Sequence, residues 1–123
     1  DANEKPSDKI PTSMIAQQLT QMDWGDAVVE GPLSYDLALY EESAQHKGIT
    51  DNPVAGKADI LIVPHLSGGN FLYKSWAMTM GADVANIVLG ARVPLIITSR
   101  SDSDMTKFLT LCASAVYSGY RLE

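Results

Sequence analysis

The stretch that most constrains this chain is residues 58–100, ADILIVPHLSGGNFLYKSWAMTMGADVANIVLGARVPLIITSR. Ile60-Leu61-Ile62-Val63 is an unbroken apolar run closed by Pro64. That is the pattern of a strand buried on both faces. Ser67-Gly68-Gly69-Asn70 reads as a turn. Residues 71–80 then show helical spacing, with Gly81 placed to stop the helix. Residues 84–89 and 93–98 are two further apolar runs joined by only Gly90-Ala91-Arg92. A parallel crossover needs about a dozen residues, so these two runs should pair antiparallel. Residues 60–63 and 84–89, with a helix between them, should form a right-handed parallel unit. The expectation is an α/β fold: a three-layer αβα domain with a mixed, mainly parallel sheet. Ligands of such sheets sit at loops beyond the carboxyl ends of strands.

The flanks fit one domain over residues 1–123. Residues 1–9 are charged and aperiodic, a loop or end. Pro11-Thr12-Ser13 offers a helix start, and Met14, Ile15, Leu19 and Met22 mark its apolar face. Residues 27–30 are a short strand candidate. Ser34 or Asp36 caps a helix over residues 36–46, with Leu37, Leu39, Tyr40 and Ala44 inward and Gly48 as its stop. Asn52-Pro53 signals a turn. Residues 103–117 form a last helix, with Phe108, Leu109, Leu111, Cys112, Ala115 and Val116 on or beside its buried side. Leu122-Glu123 is set aside as a vector-derived tail.

Charge and composition exclude several function classes. The net charge of −6 argues against nucleic acid, whose backbone calls for clustered Lys and Arg. No apolar run approaches the roughly 20 residues of a membrane helix, and no signal peptide is visible. Cys112 is the one cysteine, so no intrachain disulfide forms and a reducing compartment, the cytoplasm, is expected. No His, Cys and carboxylate set has metal-ligand spacing, so no metal is expected.

Two segments carry candidate chemistry. Ser99-Arg100-Ser101-Asp102-Ser103 leaves an apolar run and opens a helix. Helix starts hold unpaired N–H groups and partial positive charge, which suit phosphate. Arg100 adds a planar fork matched to phosphate oxygens. The same Ser and Asp residues are also ordinary helix caps. In the second segment, Gly69 permits close backbone approach to a ligand. Asn70 and Lys74 lie four apart and so share a helix face. An amide and an ammonium on one face suit a phosphate or carbonyl oxygen, although a solvated lysine after a turn has the same pattern. If residues 93–98 run antiparallel to residues 60–63, Ser99 and Asn70 leave opposite ends of one sheet.

These residues also carry a family resemblance. VPHLSGGNFLYKS and LGARVPLIITSRSDS, with VVEGPLSYDLALYEESAQHKGI and NPVAGKADIL upstream, resemble the C-terminal part of phosphate acetyltransferases and phosphate butyryltransferases, nearest the butyryl-type branch. The resemblance runs from about Lys9 onward. It implies a C-terminal fragment of a larger two-domain acyltransferase, with a fold shared with isocitrate- and isopropylmalate-type dehydrogenases. The implied reaction moves a short acyl group, acetyl or butyryl, between coenzyme A and inorganic phosphate. The partners it implies are acyl phosphate, coenzyme A or acyl-CoA, phosphate and a second copy in a homodimer. Coenzyme A enters as a substrate, with no covalently bound cofactor. Ser99 and Arg100 are carried over as catalytic, and Gly69, Asn70, Lys74 and Ser101 as substrate-binding. Acetyl-type members place an aspartate seven residues after the serine, where this chain has Thr106. That departure leaves the general base unassigned, and the fragment is expected to be inactive by itself. The alternatives are a non-catalytic phosphate- or CoA-binding or dimerisation domain, and a dehydrogenase. The absence of a Gly-x-Gly-x-x-Gly fingerprint counts against the last.

Overall fold

The computed structural model describes residues 1–2 and 4–120; the supposed tail Leu122-Glu123 lies outside the described residues. The chain forms two compact units, Asp1–Gly69 and Asn70–Glu123.

The first unit holds α1 (Pro11–Thr20), α2 (Tyr35–Leu39) and α3 (Glu41–His46). Pro11 opens α1, where its missing N–H is no loss. The N-cap is Ile10, with no side-chain cap bond, and Ser13 serves another purpose. Its buried hydroxyl donates to Ile10 O at 2.7 Å and accepts the Ser7 N–H at 2.9 Å, tying the preceding turn to the helix. Ile15 and Met22, expected on the apolar face, are exposed. The single helix expected over residues 36–46 is broken at Tyr40, whose backbone is extended (φ −119°, ψ 112°). The break lets Leu37 from α2 and Ala44 from α3 enter one small core with Ala55, flanked by Leu33 and Ile49. Gly48, at φ +68°, ends α3. Asn52 Oδ1 then accepts the N–H groups of Val54 and Ala55, both at 2.9 Å. The loop closes over α2 through Gly56 N–H to Leu37 O (2.7 Å) and Ala58 N–H to Ala38 O (3.0 Å).

Helix α4 (Leu66–Lys74) starts five residues earlier than the pattern indicated and continues as a π-helical turn, Ser75–Thr79. Gly69 therefore lies inside a helix, not in a turn. Its place is fixed by space: a Cβ there would stand 2.8 Å from Val63 Cγ2.

The second unit ends in α5 (Asp104–Tyr120). This helix reverses the expected orientation. Thr106, Thr110 and Ser114, four apart, are its buried stripe. Phe108, Leu111 and Val116 are more than half exposed, and Cys112 is exposed too. Apolar content marked the wrong face because small hydroxyl side chains allow close approach and can satisfy backbone. Thr110 Oγ1 accepts the Asn86 N–H at 3.0 Å.

The expected three-layer αβα architecture with a mainly parallel sheet is not what the chain adopts. Among the described residues there is no sheet. There are only two isolated antiparallel bridges, Ser7 with Ile10 and Val88 with Leu95. Residues 27–30, 60–63, 84–89 and 93–98 form no strands. An apolar run favours extended chain, but a strand exists only where a neighbour lies about 4.8 Å away in register. Val88 and Leu95 meet that condition once, through one hydrogen bond of 3.5 Å. Ile60 and Ile62, expected to be buried on both faces, are about three-quarters exposed (77% and 75%).

Candidate active site

Ser99-Arg100-Ser101-Asp102 closes into a four-residue turn. The Asp102 N–H donates to Ser99 O at 3.1 Å. In return the Ser99 N–H donates to Asp102 Oδ2 at 2.7 Å. The carboxylate locks the first residue of the turn to the last, a use of aspartate common in turns. Arg100 and Ser101 form the tip, and both are exposed. Arg100 makes no ion pair among the described residues.

Ser103, immediately after, serves α5. Its Oγ accepts the Thr106 N–H at 3.1 Å and donates to Thr106 Oγ1 at 3.1 Å. That is the bond of an N-cap residue to the third helical N–H. Thr106 is buried beside this cap, at 5% exposure.

The end of α4 meets this turn within the second unit. Tyr73 OH donates to Asp102 Oδ1 at 2.5 Å. Lys74 Nζ donates to Ser101 Oγ at 3.3 Å and lies 3.7 Å from Asp102 Oδ1. The same ammonium stands 4.8 Å from the Tyr73 ring centroid, within cation–π range. Ser99 Oγ and Ser101 Oγ are 3.0 Å apart. The result is one connected web of two hydroxyls, an ammonium, a phenol and a carboxylate, with Arg100 exposed in the same turn.

The charge states follow from the contacts. The Tyr73 hydroxyl, helped by the Ser99 N–H and the nearby Lys74, holds the Asp102 carboxyl below its ordinary range despite burial. Binding that carboxylate pushes the Tyr73 phenol up from its usual value. Asp102 is thus an anion with both oxygens engaged, a poor base, and Tyr73 is a neutral donor.

The structure joins Ser99, Ser101 and Lys74 through hydrogen bonds and sets Arg100 between the two serines. Because the described residues form no sheet, the anticipated separation of the two segments to opposite sheet ends does not arise. Asn70 is exposed on α4, one turn before Lys74, and no bond links it to the turn among the described residues. Gly69, in the first unit, packs against Val63. Tyr73 and Asp102 are further members of this web; Asp102 had the ordinary reading of a helix cap, and it closes the turn instead. The one available signal was an aspartate three residues after a serine, the spacing of a side-chain-closed turn. A hollow of about 340 Å³ in the first unit, bordered by Glu41, Gln45, Asn52 and Lys57, contains none of these residues.

The chain matches a family profile described as Phosphate acetyl/butaryl transferase over residues 3–115. It is 44% identical over 124 residues to a phosphate acetyltransferase of Rhizobium meliloti, covering 98% of this chain and 39% of that protein. It is 41% identical over 115 residues to a phosphate butyryltransferase of Clostridium acetobutylicum, covering 90% and 38% respectively. The crystal structure of a branched-chain phosphotransacylase from Enterococcus faecalis V583 is similar with a TM-score of 0.83 at 42% identity, covering 94% of this chain and 42% of that one. The chain therefore spans about two-fifths of the length of these relatives, and it matches their C-terminal part. Four sequence blocks in order, the serine-arginine turn beside Lys74 and a profile match over nearly the whole chain agree: this chain belongs to the phosphate acetyl/butyryl transferase family.

Proposed function

We propose that residues 1–123 are the C-terminal portion of a two-domain acyltransferase that interconverts acyl-CoA plus phosphate with acyl phosphate plus coenzyme A. The coenzyme A sulfur, as thiolate, attacks the acyl carbonyl carbon; a C–S bond forms, the C–O bond to phosphate breaks, and phosphate leaves with the electron pair. Catalysis then rests on holding two substrates in line and on neutralising charge at the leaving phosphate. Ser99 and Arg100 supply that neutralisation. Ser101, Lys74, Asn70 and Gly69 bind substrate. The observation that carries this reading is the turn that exposes Arg100, which makes no ion pair among the described residues, and whose Ser101 and Asp102 lie against Lys74, in a chain of this family. The test is turnover of acetyl phosphate and butyryl phosphate with coenzyme A by the full-length protein, followed by thioester absorbance. Turnover of at least one is expected, and none with either would sink the proposal.

The second reading, a non-catalytic phosphate- or CoA-binding or assembly domain, draws support from the buried Thr106 at the position where acetyl-type members carry an acid. The same assay separates the two.

The protein is proposed to work in the cytoplasm as a homodimer. The lone Cys112 suits a reducing compartment. No helix of the described residues is long and apolar enough to cross a membrane. The exposed ridge of α5, Met105, Phe108, Leu111 and Val116, has the helical spacing of an interface. Replacing Phe108→Glu and Leu111→Glu together should convert the full-length dimer to monomer in light scattering. An unchanged mass would remove α5 from the interface.

A further inference from the structure

We infer that Asp102 is a positioning residue for this site: it sets the serine-arginine turn and fastens it to the end of α4, so that Arg100 and Lys74 meet one substrate phosphate together. The inference rests on the acyl-transfer reading above and adds to it a residue that does not itself touch substrate.

Its geometry is not that of a helix cap. Ser103 already caps α5 through the Thr106 N–H, so the helix does not need Asp102. The hydrogen-bond partners of both Asp102 oxygens lie outside α5. Oδ2 takes the Ser99 N–H and Oδ1 takes the Tyr73 hydroxyl. The side chain is only 4% exposed. A carboxylate taken out of water needs such partners to stay ionised. Its charge also lies 3.7 Å from Lys74 Nζ, which orients the ammonium that donates to Ser101. Both segments with anion-binding side chains are therefore fixed to one buried group. Asp102 is unsuited to removing the thiol proton, because both its oxygens are engaged and those bonds hold its proton affinity low.

Asparagine in its place keeps the shape but has one acceptor oxygen and turns an NH₂ toward the second donor. The Ser99 N–H can keep its acceptor, but the Tyr73 hydroxyl can only reverse and accept from the NH₂, so the charge-assisted bond to Tyr73 and the negative charge facing Lys74 are both lost. In the full-length enzyme, Asp102→Asn should raise the KM for acyl phosphate by about tenfold or more, as expected when a reacting group is displaced by an ångström or less. The KM for coenzyme A should stay within about twofold. Tyr73→Phe should shift the same KM in the same direction by less. The double variant should be no worse than Asp102→Asn, since Tyr73 acts through that carboxylate. A purely structural role would lower the active fraction, and with it the apparent kcat, without a selective change in KM. Unchanged KM for acyl phosphate in Asp102→Asn, with Arg100→Ala still strongly impaired, would overturn the positioning role and leave the acyl-transfer reading standing. If Asp102→Asn fails to fold, Tyr73→Phe decides: a selective rise supports the inference and an unchanged KM rejects it. A wild-type enzyme that does not turn over acyl phosphate refutes the acyl-transfer reading itself.

Discussion

In the full-length enzyme, Arg100→Ala is expected to lower kcat/KM for acyl phosphate by about 10²-fold or more, the loss typical when one donor to developing charge is removed. Arg100 sits at the tip of a turn that Asp102 closes from both ends, so its backbone is fixed before substrate arrives. It forms no ion pair among the described residues, and no neighbouring acid must be displaced when phosphate binds. Lys74 differs: it is already hydrogen-bonded to Ser101 and close to Asp102, so part of its charge is offset. Lys74→Ala should therefore cost less than Arg100→Ala. Arg100→Lys restores the charge without the bidentate fork and should recover only part of the loss. An Arg100→Ala enzyme within about threefold of wild type would take this guanidinium out of the reaction.

The candidate site was more legible in the sequence than the fold. Ser99, Arg100, Ser101 and Lys74 stand in local patterns, a helix start and paired polar side chains, that a window of a few residues contains; those patterns also have ordinary structural readings, and the family resemblance is what favours the functional one. Gly48 and Gly81 were legible for the same reason, each at a positive φ past the end of a helix. Pairing between distant segments has no such local signature. Residues 60–63 and 93–98 looked like buried strands because apolar runs of that length usually are. Nothing in a run specifies which backbone will lie beside it. The last helix misled for a different reason. Hydrophobic periodicity assumes that the apolar side is the buried side, but α5 buries Thr106, Thr110 and Ser114 and exposes Phe108, Leu111 and Val116. The link between Asp102 and Tyr73 has no local signature, because it is a contact across 29 residues of chain.

The largest loss of stability from a single added methyl group is expected at Gly56. Gly56→Ala should destabilise the first unit by about 2–5 kcal/mol, from two costs of distinct origin. Gly56 has φ +80°, where a Cβ meets the following carbonyl. In addition, that Cβ would stand 2.6 Å from Glu41 Cα and 2.9 Å from Glu41 N. Those are backbone atoms at the first residue of α3, so no rotamer change relieves the overlap. Either α3 or the loop must move, and the Gly56 N–H bond to Leu37 O spans the same join. Movement there opens the small core of Leu37, Ala44 and Ala55, which has few other residues to compensate. Gly48 is the matched control. It has φ +68° but nothing within 4 Å of an added Cβ, so Gly48→Ala should cost only the backbone term, about 1–2 kcal/mol. Urea unfolding of the two variants in the same full-length background measures the difference. Equal midpoints for Gly48→Ala and Gly56→Ala would mean that α3 yields without cost, and that the tight join between α2, α3 and the loop carries no stability.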